Sequence, residues 1–163
     1  MGRAWTGQQA SRTLPSTQTP SPTITQANTT QTEDFSVLKP DGSLRKGRED
    51  AAKAIQEIYG PFASHNHRPN FLVTWETKDG YAMSGEADVF FNLHGVPAGN
   101  ESDGEGGKWH GHISAAFRFD YVREESDIKL KATRIFSDAS PALKLMLQNK
   151  QIDGNALVGI LGA

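Results

Sequence analysis

Two stretches of the chain alternate apolar and polar residues for much longer than a typical strand. In Tyr81–Leu93, Tyr81, Met83, Gly85, Ala87, Val89, Phe91 and Leu93 share one face, and Ser84, Glu86, Asp88, Phe90 and Asn92 share the other. In Lys108–Val122, Trp109, Gly111, Ile113, Ala115, Phe117, Phe119 and Tyr121 oppose His110, His112, Ser114, Arg118 and Asp120. A period of two marks a strand with one buried face. Each run is about twice the usual strand length. Strands that long twist and curl, and a curled antiparallel sheet encloses a hollow.

Shorter signals complete the layout. Phe35, Val37 and Leu38 predict a first strand, Pro40-Asp41-Gly42 a turn, and Ser43–Lys46 a returning strand. Ala51, Ala54, Ile55, Ile58 and Tyr59 fall on one face of a helix over Arg48–Tyr59, which Gly60-Pro61 ends. Ala63–Pro69 reads as a loop carrying His65 and His67. Phe71, Val73 and Trp75 then alternate with Leu72, Thr74 and Glu76 up to the hairpin turn Lys78-Asp79-Gly80. Residues 94–107, with five glycines and three acids, predict a flexible loop. Ile128, Leu130, Ala132, Arg134 and Phe136 mark a last long strand. Ser140-Pro141 opens a short helix, with Ser as N-cap and Pro in the first turn. The predicted fold is α+β: a curved, cone-shaped antiparallel sheet of five to six strands with helices packed on its concave face.

Composition narrows the domain. Residues 1–32 contain no Asp or Glu, and about half are Ser, Thr or Pro. Such a segment has too little apolar surface to offset its ordering entropy, so a disordered tail is expected there. The folded domain is then 33–150, with 151–163 as a C-terminal extension. Seventeen basic and nineteen acidic residues, interspersed, leave a net charge of −2 and no basic stripe for nucleic acid. The absence of cysteine excludes disulfide and thiolate chemistry and suits a cytoplasmic location. No apolar run approaches the length of a membrane span.

Candidate chemistry follows from residue type and parity. His110-x-His112 places two imidazoles on one strand face, a metal-compatible spacing. The opposite face is far more apolar, so a polar outer sheet surface or a dimer face is the competing reading for the pair. His65 and His67 stand where a histidine can reach the mouth of a cone and act as a base near neutral pH. Arg134 sits within an apolar face and needs an anion there unless it reaches the rim. Tyr81, Tyr121, Trp75 and Trp109 are expected on the concave face, with Ile113, Phe117 and Phe136, as walls for a flat hydrophobic ligand or as core. Asp88 shares the face of the paired histidines.

Five pieces of the chain resemble the nuclear transport factor 2-like superfamily, and within it the SnoaL-like group of fungal type. These are Glu33–Leu38, Pro40–Ser43 with Lys46–Glu49, Tyr59–Phe62 with His67, Phe117–Tyr121, and Ser137–Pro141. The likeness covers about 33–150. The family's opening helix is replaced here by the Ser/Thr/Pro/Gln-rich segment, which implies a pocket open on that side, one covered by a partner, or none that works as a site. The resemblance implies a small-molecule-binding cone. Some members are isomerases, dehydratases or cyclases that work by proton transfer without a cofactor, and others only bind or dimerise. On the catalytic reading, His67, His65 or Asp88 moves a proton on a hydrophobic secondary metabolite. Tyr81 or Tyr121 donates a hydrogen bond and Arg134 steadies negative charge. A homodimer through the outer sheet face is expected. The alternatives are a non-catalytic binding or dimerisation module and a metal site at His110 and His112.

Overall fold

The structure is a computed structural model that describes residues 31–97, 99–125 and 127–156. Residues 1–30 of the expected N-terminal tail and the last residues of the C-terminal extension lie outside these, whereas Gln31 and Thr32, expected in the tail, begin the first strand, with Thr32 buried. Strands β1 (Gln31–Leu38) and β2 (Leu44–Lys46) lead into helix α1 (Arg48–Tyr59). Strands β3 (Phe62–Glu76) and β4 (Gly80–Leu93) follow, then two short strands, β5 (Glu101–Ser102) and β6 (Lys108–Trp109). Strands β7 (Gly111–Glu124) and β8 (Asp127–Ser137) and helix α2 (Ser140–Gln148) complete the order. Six strands form one sheet in the order β2-β1-β8-β7-β4-β3, antiparallel except where β1 runs parallel to β8. The fold is α+β, with both helices on the concave face of the curved sheet.

The helices divide the core between them. Helix α1 buries Ala51 and Ala54 against Phe35 and Val37, with Leu130 beside them. Helix α2 buries Ala142 against Val89, Phe91, Leu93 and Ile113. Arg48 fastens the start of α1 to the start of β1 by donating to the carbonyls of Gln31 at 2.8 Å and Thr32 at 3.1 Å. At α2 the capping differs from expectation. The Asp138 carboxylate accepts the Ser140 amide at 2.9 Å, and no side-chain cap comes from Ser140 itself. A carboxylate two residues back reaches that amide through a short local turn.

Irregularities in the strands decide which side chains face inward, the first being an extra residue at Ala63, between Phe62 opposite Leu93 and Ser64 opposite Asn92. The segment expected as a loop, Ala63–Pro69, is the first half of the edge strand β3, paired with β4 from Phe62↔Leu93 onward. Asn70 is extra: Pro69 opposes Ala87, but Phe71 opposes Glu86. Before it His67 and Pro69 face inward; after it Leu72 does, and Phe71, Val73 and Trp75 turn outward. Gly85 lies beside this bulge, and a Cβ there would fall 2.3 Å from the Phe71 carbonyl oxygen. His110 interrupts the path from β6 to β7, so Trp109 leaves the face of Ile113 and Phe117. In β8, Asp120 opposes Ala132 while Tyr121 opposes Leu130, which makes Lys131 the extra residue. Leu130, Thr133 and Ile135 therefore face the hollow, and Arg134 and Phe136 are exposed on the outer face, contrary to strict alternation.

These placements have unequal energetic consequences. Phe91 is wholly buried, and Phe91→Ala is expected to cost about 3–5 kcal/mol in urea denaturation. Arg134→Ala is expected within about 0.5 kcal/mol of the parent. A cost of about 3 kcal/mol or more for Arg134→Ala would mean a buried, paired guanidinium and an inward-facing Arg134.

Candidate functional site

The concave face encloses a hollow of about 480 Å³. Met83, Ala87 and Val89 of β4 and Ala115, Phe117 and Phe119 of β7 form its floor. Leu72 and Pro69 close one flank; Leu130, Thr133 and Ile135 close the other. Phe35, Ile55 and Tyr59 bring in β1 and α1. The polar lining residues are Gln31, Tyr59, His67 and Thr133, and no Asp, Glu, Lys or Arg lines the hollow among the described residues. The size suits a small organic ligand.

Among the described residues, the one polar pair formed in this wall joins α1 to β3. Tyr59, the last residue of α1, places its Oη 3.0 Å from His67 Nε2. The His65 ring stacks on Tyr59 with centroids 4.4 Å apart, and the His67 ring meets both edge-on. The spacing of β3 explains this: His65 and His67 are two residues apart before the Asn70 bulge and share the inward face. Both histidines keep an edge in water while their rings are crowded by neighbours. Partial desolvation lowers the pKa of each, and a charged His65 would lower that of His67 further. Desolvation also raises the Tyr59 pKa. Near neutral pH the pair is therefore an uncharged imidazole and an intact phenol.

Other residues singled out by sequence are placed as follows. Phe117 lines the hollow, and Ile113 lines a smaller chamber beside it. Tyr81 and Tyr121 oppose each other across β4 and β7 but lie beyond the residues that line the hollow. The Tyr81 hydroxyl accepts from Arg123 at 2.7 Å, and Arg123 also pairs with Glu76 at 2.8 Å. Trp75 lies on the outer face with the Arg118 guanidinium 5.4 Å from its ring centroid. Trp109 also leaves the concave face: its indole N–H donates to Asp103 at 2.8 Å, and its ring lies against Phe90. Asp88 is on the outer face, bound to Arg68 at 2.9 Å, and that hydrogen bond holds its carboxyl below the usual range. Arg134 and Phe136 lie outside for the reason given by Lys131.

His110 and His112 are turned to separate tasks. His110 Nδ1 accepts the Leu93 amide at 2.7 Å, standing in for a backbone carbonyl where the ladder is interrupted, and Nε2 faces the Pro97 carbonyl oxygen. Nε2 therefore carries the proton, and neither ring nitrogen offers a free lone pair. His112 pairs through Nδ1 with Glu101. Among the described residues no group of three or more His, Cys, Asp or Glu is arranged to hold a metal ion. Tyr59 is the residue that sequence reasoning left in the apolar face of its helix. Its signal was position, as the polar-tipped residue at a helix end just before Gly60-Pro61.

No protein-family model matches the chain, and no curated protein matches it. Among solved structures, LinA aligns with a TM-score of 0.53 at 16% identity, over 71% of this chain and 72% of LinA. A protein of unknown function with a cystatin-like fold from Nostoc punctiforme gives 0.52 at 16% identity, over 72% and 77%. Aln2 from a Streptomyces species gives 0.52 at 15% identity, over 74% and 81%. At these identities the likeness establishes the fold, which is the cone expected from the resemblance to nuclear transport factor 2-like proteins. Among the described residues no helix is long and apolar enough to cross a membrane.

The histidine pair gives a titration prediction. With its folded pKa below the free value of about 6.5, His67 binds fewer protons folded than unfolded between those two pKa values. Stability contributed by neutral His67 is present above about pH 6.5 and is lost as pH falls through the folded pKa. NMR titration is expected to show His67 below 6.5, and His65→Ala is expected to raise it partway back. A His67 value that stays put on removing His65 would mean that the two rings do not sense each other.

Proposed function

We propose that this chain is a SnoaL-like domain that binds an uncharged, largely apolar small molecule in the hollow and that His67, oriented by Tyr59, transfers a proton on it. The observation that carries the reading is the neutral Tyr59–His67 pair set in a largely apolar wall whose other polar residues, Gln31 and Thr133, are uncharged. A charged ligand would find no opposite charge there, whereas a neutral one with a single hydrogen-bonding group would find a partner. The proton arrangement determines the chemistry. If Tyr59 donates to Nε2, the imidazole keeps its proton on Nδ1 and has no lone pair to act as a base. If Nε2–H donates to the Tyr59 oxygen, Nδ1 keeps a lone pair and the Tyr59 O–H is free to donate to a ligand oxygen. In the second state His67 takes a proton from carbon while Tyr59 steadies the charge that develops on oxygen. Returning that proton elsewhere completes an isomerisation, and expelling a leaving group completes an elimination. Neither needs a cofactor or a change of oxidation state.

The shared fold supports this reading by analogy, since LinA is a hexachlorocyclohexane dehydrochlorinase. The proposed substrate is a hydrophobic secondary metabolite, and the proposed location is cytoplasmic. A second reading, a non-catalytic binding module, has its own observation. Among the described residues no carboxylate lines the hollow to orient His67, and Asp88 points to the opposite face.

Binding and turnover separate the two. The neutral dye N-phenyl-1-naphthylamine is expected to bind saturably, and Phe119→Arg to weaken it at least about tenfold by placing a charge in the apolar floor. In D2O with enolisable hydrophobic ketones, the parent is expected to incorporate deuterium on the order of 10²–10⁴ times faster than His67→Asn. Dye binding with no exchange above that of His67→Asn favours the binding module. Absence of saturable dye binding removes both readings.

The outer sheet face exposes Phe71, Val73, Trp75 and Phe136, and we propose it as the homodimer surface. Sedimentation is expected to give twice the 17.8 kDa chain mass, and Phe136→Glu to give the monomer. A parent that sediments as a monomer at high micromolar concentration would refute the dimer.

A further inference from the structure

Behind the main hollow the cone holds a second chamber of about 150 Å³. Pro40, Ile58, Phe62 and Ile113 belong to the chamber alone, whereas Tyr59, Val89, Ala115 and Ile135 line both spaces. Apart from Tyr59 and Ser137, every residue lining the chamber is apolar. The chamber opens to solvent at the exposed residues Pro40 and Ala139, and its size and lining leave room for an apolar guest about as large as benzene. The boundary is built from one layer of side chains. On the inward face of β7 the small residue Ala115 stands between Ile113, in the chamber, and Phe117, in the hollow. Tyr59 borders both spaces and carries the hydroxyl that meets His67.

We propose that the chamber is a second apolar subsite, which takes a benzene-sized ring or a short branched alkyl arm of the molecule bound in the hollow. The ligand class is then a two-part neutral compound. Its hydrogen-bonding end lies beside Tyr59 and His67, and its apolar arm passes Ala115. This inference rests on the ligand-binding reading of the main hollow. It makes position 115 a specificity determinant, because a larger side chain there obstructs the border that the arm must cross while leaving both walls apolar.

The test titrates benzene and N-phenyl-1-naphthylamine separately into methyl-labelled protein and follows the methyl resonances. Benzene is expected to shift the methyls of Ile58 and Ile113 saturably; the dye is expected to shift those of Leu72 and Met83. Ile113→Phe fills the chamber and is expected to weaken benzene binding at least tenfold. If that variant does not fold, Ala139→Phe fills the chamber from its exposed rim. Benzene that shifts only Leu72 and Met83, or no methyl at all, overturns the subsite while dye binding leaves the hollow reading intact. Saturable benzene shifts without any dye binding overturn the hollow reading and, with it, the two-part ligand.

Discussion

One inserted residue in a strand exchanges inside for outside at every position after it, because successive side chains point to opposite faces. That constraint governs this protein more than any single contact. Strands β3 and β8 carry such insertions, those at Asn70 and Lys131 among them, and His110 breaks the path from β6 into β7. Without the first, Leu72 would leave the lining of the hollow and the indole of Trp75 would enter the cone. Without the second, Arg134 would bring an unmatched charge into an apolar cavity, at a desolvation cost of several kcal/mol. The insertions thus keep the hollow uncharged, and an uncharged hollow keeps His67 neutral and able to act as a base.

The same bends account for the division of the sheet into two functional faces. Inward, the helices cover only part of the cup: α1 packs on β1, and α2 packs across the ends of β4 and β7. The rest of the concave surface remains as the hollow. Outward, polar residues engage one another, as in the Arg68–Asp88 and Arg118–Asp120 pairs, beside exposed aromatic side chains at Phe71, Trp75 and Phe136. Residues 101–109 lie on this outer side. They bring Glu101 to His112 and Asp103 to Trp109 and Arg68, and with these partners they help bury Phe90.

The elements themselves were legible in the sequence. The alternation of Tyr81–Leu93 and of Ile113–Tyr121 gave the correct inward faces, and the helix over Arg48–Tyr59 was marked by its apolar spacing and its Gly60-Pro61 stop. The insertions were not legible, because nothing in the composition of Asn70 or Lys131 distinguishes an extra residue from a paired one. The register belongs to the partner strand as much as to the bulged one. Ala63–Pro69 was missed for another reason. His65, Asn66, Arg68 and Pro69 have low strand propensity, and pairing with β4 along a sheet edge overrides it. His67 was found because its place after the helix resembles a family motif. Tyr59 was missed because a tyrosine on a helix face reads as packing until its hydroxyl is seen to reach a partner.

The neutral hollow depends on the orientation of β8 after Lys131, and the lack of native cysteine allows that orientation to be read residue by residue. Single cysteines placed at Thr133, Arg134, Ile135 and Phe136 would be labelled with a thiol reagent under native conditions. The structure predicts fast labelling at Arg134 and Phe136 and slow labelling at Thr133 and Ile135, which are 5% and 8% exposed. The reverse order would place the guanidinium inside the cone and contradict the neutral hollow on which the proposed chemistry depends.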